Sequence, residues 1–144
     1  MDYYRAAPEA MKAMTALEDA AKGVSIPQSV RELVKMRVSQ INGCAYCLNL
    51  HASEARSAGV PQQKLDVLAA WRESPAFDEK ERAALLWAEA LTRLETSGAS
   101  DADYNKFAAA FDERERVEMT LVITTINAWN RFAIGFRSQH PVER

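Results

Sequence analysis

The stretch Glu32-Leu33-Val34-Lys35-Met36-Arg37-Val38-Ser39-Gln40-Ile41-Asn42-Gly43-Cys44-Ala45-Tyr46-Cys47-Leu48-Asn49-Leu50-His51 carries the signals from which the rest of the chain can be read. Its first half continues a stripe of Val30, Leu33, Val34 and Val38, spaced as one face of a helix. Ser25-Ile26-Pro27 opens that helix, proline being favoured at a first helical position, and it runs over about 27–41. Asn42-Gly43 breaks the pattern, because these residue types accept the left-handed backbone that ends helices. Helical periodicity resumes over about 44–58 and closes at Gly59-Val60-Pro61. Two helices joined by a sharp turn are therefore predicted, with Cys44 and Cys47 at the N-terminus of the second.

Outward from this hairpin the helical period persists, and no sustained alternation of β-branched residues marks a strand. A helix over about 8–22 carries Met11, Met14 and Leu17 on one side and stops at Gly23. Another, over about 61–71, ends before Ser74-Pro75. Asp78 with Glu81 reads as a capping-box variant that opens a long helix to about residue 96, and Gly98 closes it. Ser100 caps a short helix through Phe111. Asp112 with Glu115 opens the last helix, over about 113–137. Val117, Leu121, Thr124, Ala128 and Phe132 line one side of it, with Val122, Ile126 and Trp129 beside them. A helix so broadly apolar is either central to the core or packed against another subunit. The expectation is an all-α, compact bundle of about six to seven helices. A chain of 144 residues fits a single domain, 1–144.

Composition narrows the function. With 18 basic and 20 acidic residues and a formal charge of -2, the chain lacks the field that gathers phosphates, so nucleic acid is excluded as an expected partner. The N-terminus has neither a basic n-region nor an apolar h-region, and the longest apolar runs fall short of the roughly 20 residues that span a bilayer. A cytoplasmic protein without a membrane partner is expected. In that compartment a close cysteine pair is more often catalytic or metal-binding than a structural staple.

On a helix Cys44, Cys47 and His51 stand at i, i+3 and i+7 and project from one face. The imidazole of His51, four residues beyond Cys47, can take the thiol proton or stabilise the thiolate. A helix N-terminus, an imidazolium neighbour and a CxxC motif each lower a thiol pKa, so a depressed value is expected for Cys47. Cys44 lies two turns from His51, roughly 10 Å along the axis. Cys47 is thus the expected attacking thiol, and Cys44 the resolver that condenses with its sulfenic acid to a disulfide. If the chain reverses at Asn42-Gly43, Glu32 on the preceding helix comes to lie near His51, where a carboxylate would fix the tautomer and relay its proton.

The pattern Glu32-(11 residues)-Cys44-(2)-Cys47-(3)-His51 resembles the core motif of the alkylhydroperoxidase D (AhpD)-like branch of the carboxymuconolactone decarboxylase family. The resemblance covers about 25–71 and, more weakly, Trp71-Arg72-Glu73 and Trp129-Asn130-Arg131. It implies an all-α fold, a peroxidatic Cys47, a resolving Cys44, a His51–Glu32 proton relay and no cofactor. It also implies a hydroperoxide substrate, a dithiol electron donor and a homo-oligomer, trimer or hexamer. Tyr46 stands where some peroxidases of the family carry a His, so peroxidase rate and electron donor are not fixed by the motif.

The same residues admit other readings. Two thiolates, an imidazole and a carboxylate can complete a zinc tetrahedron, but a His on the same short helix as both thiols is awkward geometry for it. Haem attachment needs a His directly after the second cysteine, where Leu48 stands. A redox sensor or disulfide-exchange adaptor would use the same CxxC pair without turnover. Decarboxylation, the wider family's other chemistry, does not need the pair.

Overall fold

The chain is described by a computed structural model over residues 1–143. Among these residues it forms nine α-helices and no strand: α1 (Tyr3–Ala6), α2 (Pro8–Lys22), α3 (Gln28–Asn42), α4 (Ala45–Ser57), α5 (Gln62–Asp66), α6 (Glu79–Thr92), α7 (Leu94–Ser97), α8 (Asp101–Ala110) and α9 (Glu113–Gly135). A 3₁₀ turn, Leu68–Ala70, follows α5. The all-α architecture expected from periodicity is the one observed, six of the helices being ten residues or longer.

Helix α3 is the centre of the molecule and packs against α4, α6 and α9. Residues Glu32 to Met36 are all buried, so this helix has almost no solvent face along its middle. Leu33 and Met36 join a cluster with Ala55, Leu68, Trp71, Phe77 and Leu85 on one side. Val34 and Val38 join a larger one with Ala84, Phe107, Met119, Val122 and Ile126 on the other, and Cys44 and Cys47 sit within it. Burying Glu32 and Lys35 inside such a helix is tolerable only because they are paired: Lys35 Nζ donates to Glu32 Oε1 at 3.2 Å.

The turn after α3 takes the form its Asn-Gly dipeptide predicts. Gly43 adopts the left-handed conformation, φ 69° and ψ 36°. The Cys44 N–H donates to Ser39 O at 3.0 Å and the Gly43 N–H to Gln40 O at 3.3 Å, which is a Schellman closure. The Leu48 N–H then bonds back to Cys44 O at 3.0 Å, so Cys44 is the N-cap of α4 with no spacer between the helices. Capping boxes open α6 and α9 at Asp78/Glu81 and Asp112/Glu115, and the Ser100 hydroxyl caps α8.

Three expectations need correction. The helix expected over 61–71 is broken at Val67, whose ψ of 7° departs from the helix; the tighter 3₁₀ turn brings Leu68 and Trp71 round to one side, and both are buried. The helix expected to reach residue 96 is interrupted at Arg93, and the Ser97 hydroxyl bonds back to Ala90 O at 2.6 Å beneath the short α7. Ahead of the first expected helix, Tyr3–Ala6 form α1, capped by the Asp2 side chain and held by Tyr3 against Phe132 and Phe136. In α9 the deeply buried face is Met119, Val122, Ile123, Ile126, Asn130 and Ala133; Val117 and Thr124, from the other apolar stripe, lie at the surface.

Buried Glu89 of α6 ties the middle of the molecule together. It accepts from Arg37 Nε at 2.8 Å and from Trp71 Nε1 at 2.9 Å, and it pairs with Arg72. These donors hold its carboxyl below the usual range, against a burial that alone would raise it. No helix among the described residues is long and apolar enough to cross a membrane.

Candidate active site

The reversal at Gly43 lays α4 alongside α3, and this brings together residues far apart in sequence. Glu32 Oε2 lies 2.9 Å from His51 Nδ1, both groups being buried. The sharp turn achieves what a single straight helix could not. With Nδ1 donating to a carboxylate, the neutral ring carries its free lone pair on Nε2. Among the described residues Nε2 makes no hydrogen bond, yet it is not one of the sealed polar atoms. His51 also lines a cavity.

That cavity, about 220 Å³, is bordered by Cys47, Tyr46, Leu50, His51 and Glu54 of α4, Tyr3 and Tyr4 of α1, Glu18 and Lys22 of α2, and Trp129 and Ala133 of α9. Trp129 Nε1 donates to Glu18 Oε2 at 2.9 Å, fixing one wall. Cys47 reaches the cavity while being only 4% exposed, and both cysteines are free thiols. Cys44, 1% exposed, lies behind it and does not line the cavity.

The depressed thiol pKa expected for Cys47 is overturned. Burial, and then the neighbouring Cys44 thiol, push it up to about 12, while a hydrogen bond with Asn130 pulls weakly the other way. Removing a thiolate from water outweighs what a helix N-terminus supplies. At rest Cys47 is a protonated thiol, and a base must take its proton when it reacts.

His51 is shifted in the direction that makes it a better base. Burial opposes the imidazolium, but the carboxylates of Glu32 and Glu54 outweigh burial and raise its pKa. Glu54 Oε2 lies 3.2 Å from the same Nδ1, and His51 holds the Glu54 carboxyl below its usual range. The His51 and carboxylate donor atoms of Glu32 and Glu54 all lie within 4.8 Å of one another, a spacing that can hold a cation. The thiols are not part of that group. Lys35 Nζ already supplies a positive charge beside Glu32.

Sequence reasoning named Cys44, Cys47, His51 and Glu32, and the structure places all four at the α3–α4 junction. It missed Glu54, although Cys47, His51 and Glu54 stand at i, i+4 and i+7, a one-face spacing open to the same argument. It also missed Asn130, fully buried beside Cys47, which donates to Ser39 Oγ at 3.1 Å and accepts from Asn42 Nδ2 at 2.9 Å. No local spacing connects Asn130 to the cysteines. Its neighbour Arg131 points away, bonded to Asn127 O at 2.9 Å on the exposed side of α9.

An all-helical chain with a cysteine pair at a helix N-terminus and a carboxylate-held histidine one turn on defines a helical thiol-protein class. The chain belongs to the carboxymuconolactone decarboxylase family, which its residues 8–90 match, and within it to the AhpD-like branch. It is 40% identical over 135 residues to the uncharacterized protein YdfG of Bacillus subtilis (strain 168), covering 94% of this chain and 92% of that one. The crystal structure of ATU0492 from Agrobacterium tumefaciens superimposes with a TM-score of 0.96 at 43% identity, over 99% of this chain and 98% of that one. That protein is described as of unknown function, with AhpD and antioxidant defence suggested for it. The debrominase Bmp8 shares the fold at a TM-score of 0.85 and 23% identity, over 94% of this chain and 73% of that one.

Proposed function

We propose that the protein is a thiol-dependent peroxidase that reduces hydroperoxides through a Cys47/Cys44 dithiol–disulfide cycle. The observation that carries this reading is the single cavity onto which both Cys47 and His51 open, with Glu32 holding the far side of the imidazole. As the hydroperoxide enters, Nε2 accepts the Cys47 proton, directly or through one water. The sulfur attacks the O–O bond, one oxygen passes to Cys47 as a sulfenic acid, and the alkoxide leaves with the proton held by His51. Cys44 then attacks the sulfenic sulfur, forming the disulfide and releasing water. A dithiol donor returns two electrons and two protons. The suggested antioxidant role of ATU0492 agrees with this chemistry.

The test is peroxide turnover with a small dithiol in wild type, Cys47→Ser and Cys44→Ser. Loss of turnover in Cys47→Ser, with a sulfenic acid trapped in Cys44→Ser, is expected. Turnover in Cys47→Ser equal to wild type overturns the reading. We take the chain as one domain, working in the cytoplasm as a homo-oligomer, trimer or hexamer.

A redox sensor or disulfide-exchange adaptor is the weaker reading, because a thiol pushed up to about 12 and only 4% exposed lacks the low pKa and the access to solvent that sensor cysteines need. It predicts slow turnover, rapid oxidation and a partner held as a mixed disulfide by one single-cysteine variant.

A further inference from the structure

The relay of Glu32 and His51 has no exposed member. Their side chains are 2% and 8% exposed, and Lys35, which closes the other side of Glu32, is 6% exposed. A proton accepted from Cys47 has to be exchanged with solvent or with the departing alkoxide, and buried groups alone cannot do the former. Glu54 is different. Its carboxylate touches the same Nδ1 nitrogen at 3.2 Å while its side chain is 40% exposed. It also borders two cavities: the one containing Cys47, and a second of about 410 Å³ on the α2–α3 side.

We infer that Glu54 is the solvent-facing carboxylate of the His51 relay, a positioning and proton-exchange residue that links the buried imidazole to bulk water. The inference rests on the peroxidase reading for its chemistry, but its geometry stands without it. The hydrogen on Nδ1 is directed at Glu32, which fixes the ring; Glu54 lies beside it as an ion-pair partner that stabilises the imidazolium formed when Nε2 takes a proton. Once Nε2 has taken the Cys47 proton, the imidazolium can pass its Nδ1 proton to the Glu54 carboxylate 3.2 Å away, and rotation of that half-exposed carboxyl releases it to water, whereas Glu32 is held by both His51 and Lys35. The charged and titratable groups that face this ring are Glu32, Lys35 and Arg31 from α3, Glu18 and Lys22 from α2, Tyr3 and Tyr4 from α1, and Tyr46 and Cys47 on α4 itself.

The sign of the effect is specific. Removing the Glu54 charge lowers the basicity of His51, so the rising limb of the pH–rate profile moves to lower pH. The plateau above it falls, because a weaker base then faces the Cys47 thiol. A residue that merely supports the fold would not move the limb and lower the plateau together.

The experiment compares wild type, Glu54→Gln and Glu54→Asp. His51 is titrated by the NMR shifts of its ring protons, and Cys47 oxidation by a hydroperoxide is followed in a single turnover across pH, with and without added formate. We expect a lower His51 pKa in Glu54→Gln, a plateau rate down about tenfold, recovery with rising formate, and near wild-type behaviour in Glu54→Asp. An unchanged His51 titration in folded Glu54→Gln overturns the inference, as does a full rate that ignores formate. Neither result touches the peroxidase reading, which fails separately if Cys47→Ser turns over peroxide as wild type does.

Discussion

At the scale of single residues, the thiol and the imidazole are pushed by burial in opposite senses, and only one is compensated. Cys47 has only one amide against its burial, its thiol neighbour adding to the effect, and its pKa rises to about 12; His51 has two carboxylates against its burial, and its pKa rises too. The thiol shift keeps the Cys47 proton in place at neutral pH. Iodoacetamide alkylation of Cys47 should therefore climb about tenfold per pH unit from pH 7 to 10, with no plateau, because the thiolate fraction is still small at the upper end. A plateau near pH 8.5 would contradict the buried-thiol account. Glu32→Gln should cost more than Glu54→Gln. It leaves buried Lys35 without its near partner, about 3–5 kcal/mol of stability by urea unfolding, and lowers the His51 pKa as well. The motif spacing made Cys44, Cys47, His51 and Glu32 readable in advance, because helical geometry turns sequence separation into direction. What it could not convey was desolvation. Whether Cys47 is wet or dry depends on Asn130, Trp129 and α1, which reach it from the opposite ends of the chain.

At the scale of elements, the α3–α4 reversal decides whether the site exists. Gly43 sits at φ 69°, a conformation that costs an L-residue about 1–2 kcal/mol, although nothing lies within 4 Å of where a Cβ would be. Gly43→Ala should thus fold, lose about 1–2 kcal/mol of stability in urea unfolding, and keep its Glu32–His51 contact, which an unshifted His51 titration would verify. Gly43→Asn should recover part of the loss. Caps and breaks of this kind were legible because they depend on nearest neighbours. The splits at Val67 and Arg93 were not, because the apolar period continues through both and tertiary packing chooses the break. The role of α3 was also hidden. Its sequence shows one apolar stripe, yet it is enclosed on both sides by two separate clusters, with Glu32 paired to Lys35 and His51, Arg37 to Glu89, and Arg31 donating to the carbonyls of Ala21 and Lys22.

At the scale of the whole molecule, these buried ionisable groups set a pH range for stability. Glu89 and Glu54 have lowered pKa values in the folded state, so the stability they contribute is present above the ordinary carboxylate range and is lost as pH falls through their folded values. His51 and Cys47 have raised values. Their contributions are present below the ordinary pKa of each, about 6.5 and 9, and are lost as pH rises through the folded values, which for Cys47 is about 12. Stability should therefore be greatest in mildly acidic to neutral solution, fall in acid as Glu89 protonates beneath Arg37, Trp71 and Arg72, and fall again in alkali. Glu89→Gln isolates the acid limb: it should lower stability by about 3–5 kcal/mol at pH 7, because two guanidiniums lose their buried counter-charge, and flatten the decline below pH 5. Cys47→Ala isolates the alkaline limb and should flatten it above pH 9 while leaving the acid side unchanged. Urea unfolding across pH for the three proteins separates these contributions. If both variants keep the wild-type slopes, then neither Glu89 nor Cys47 is responsible for them.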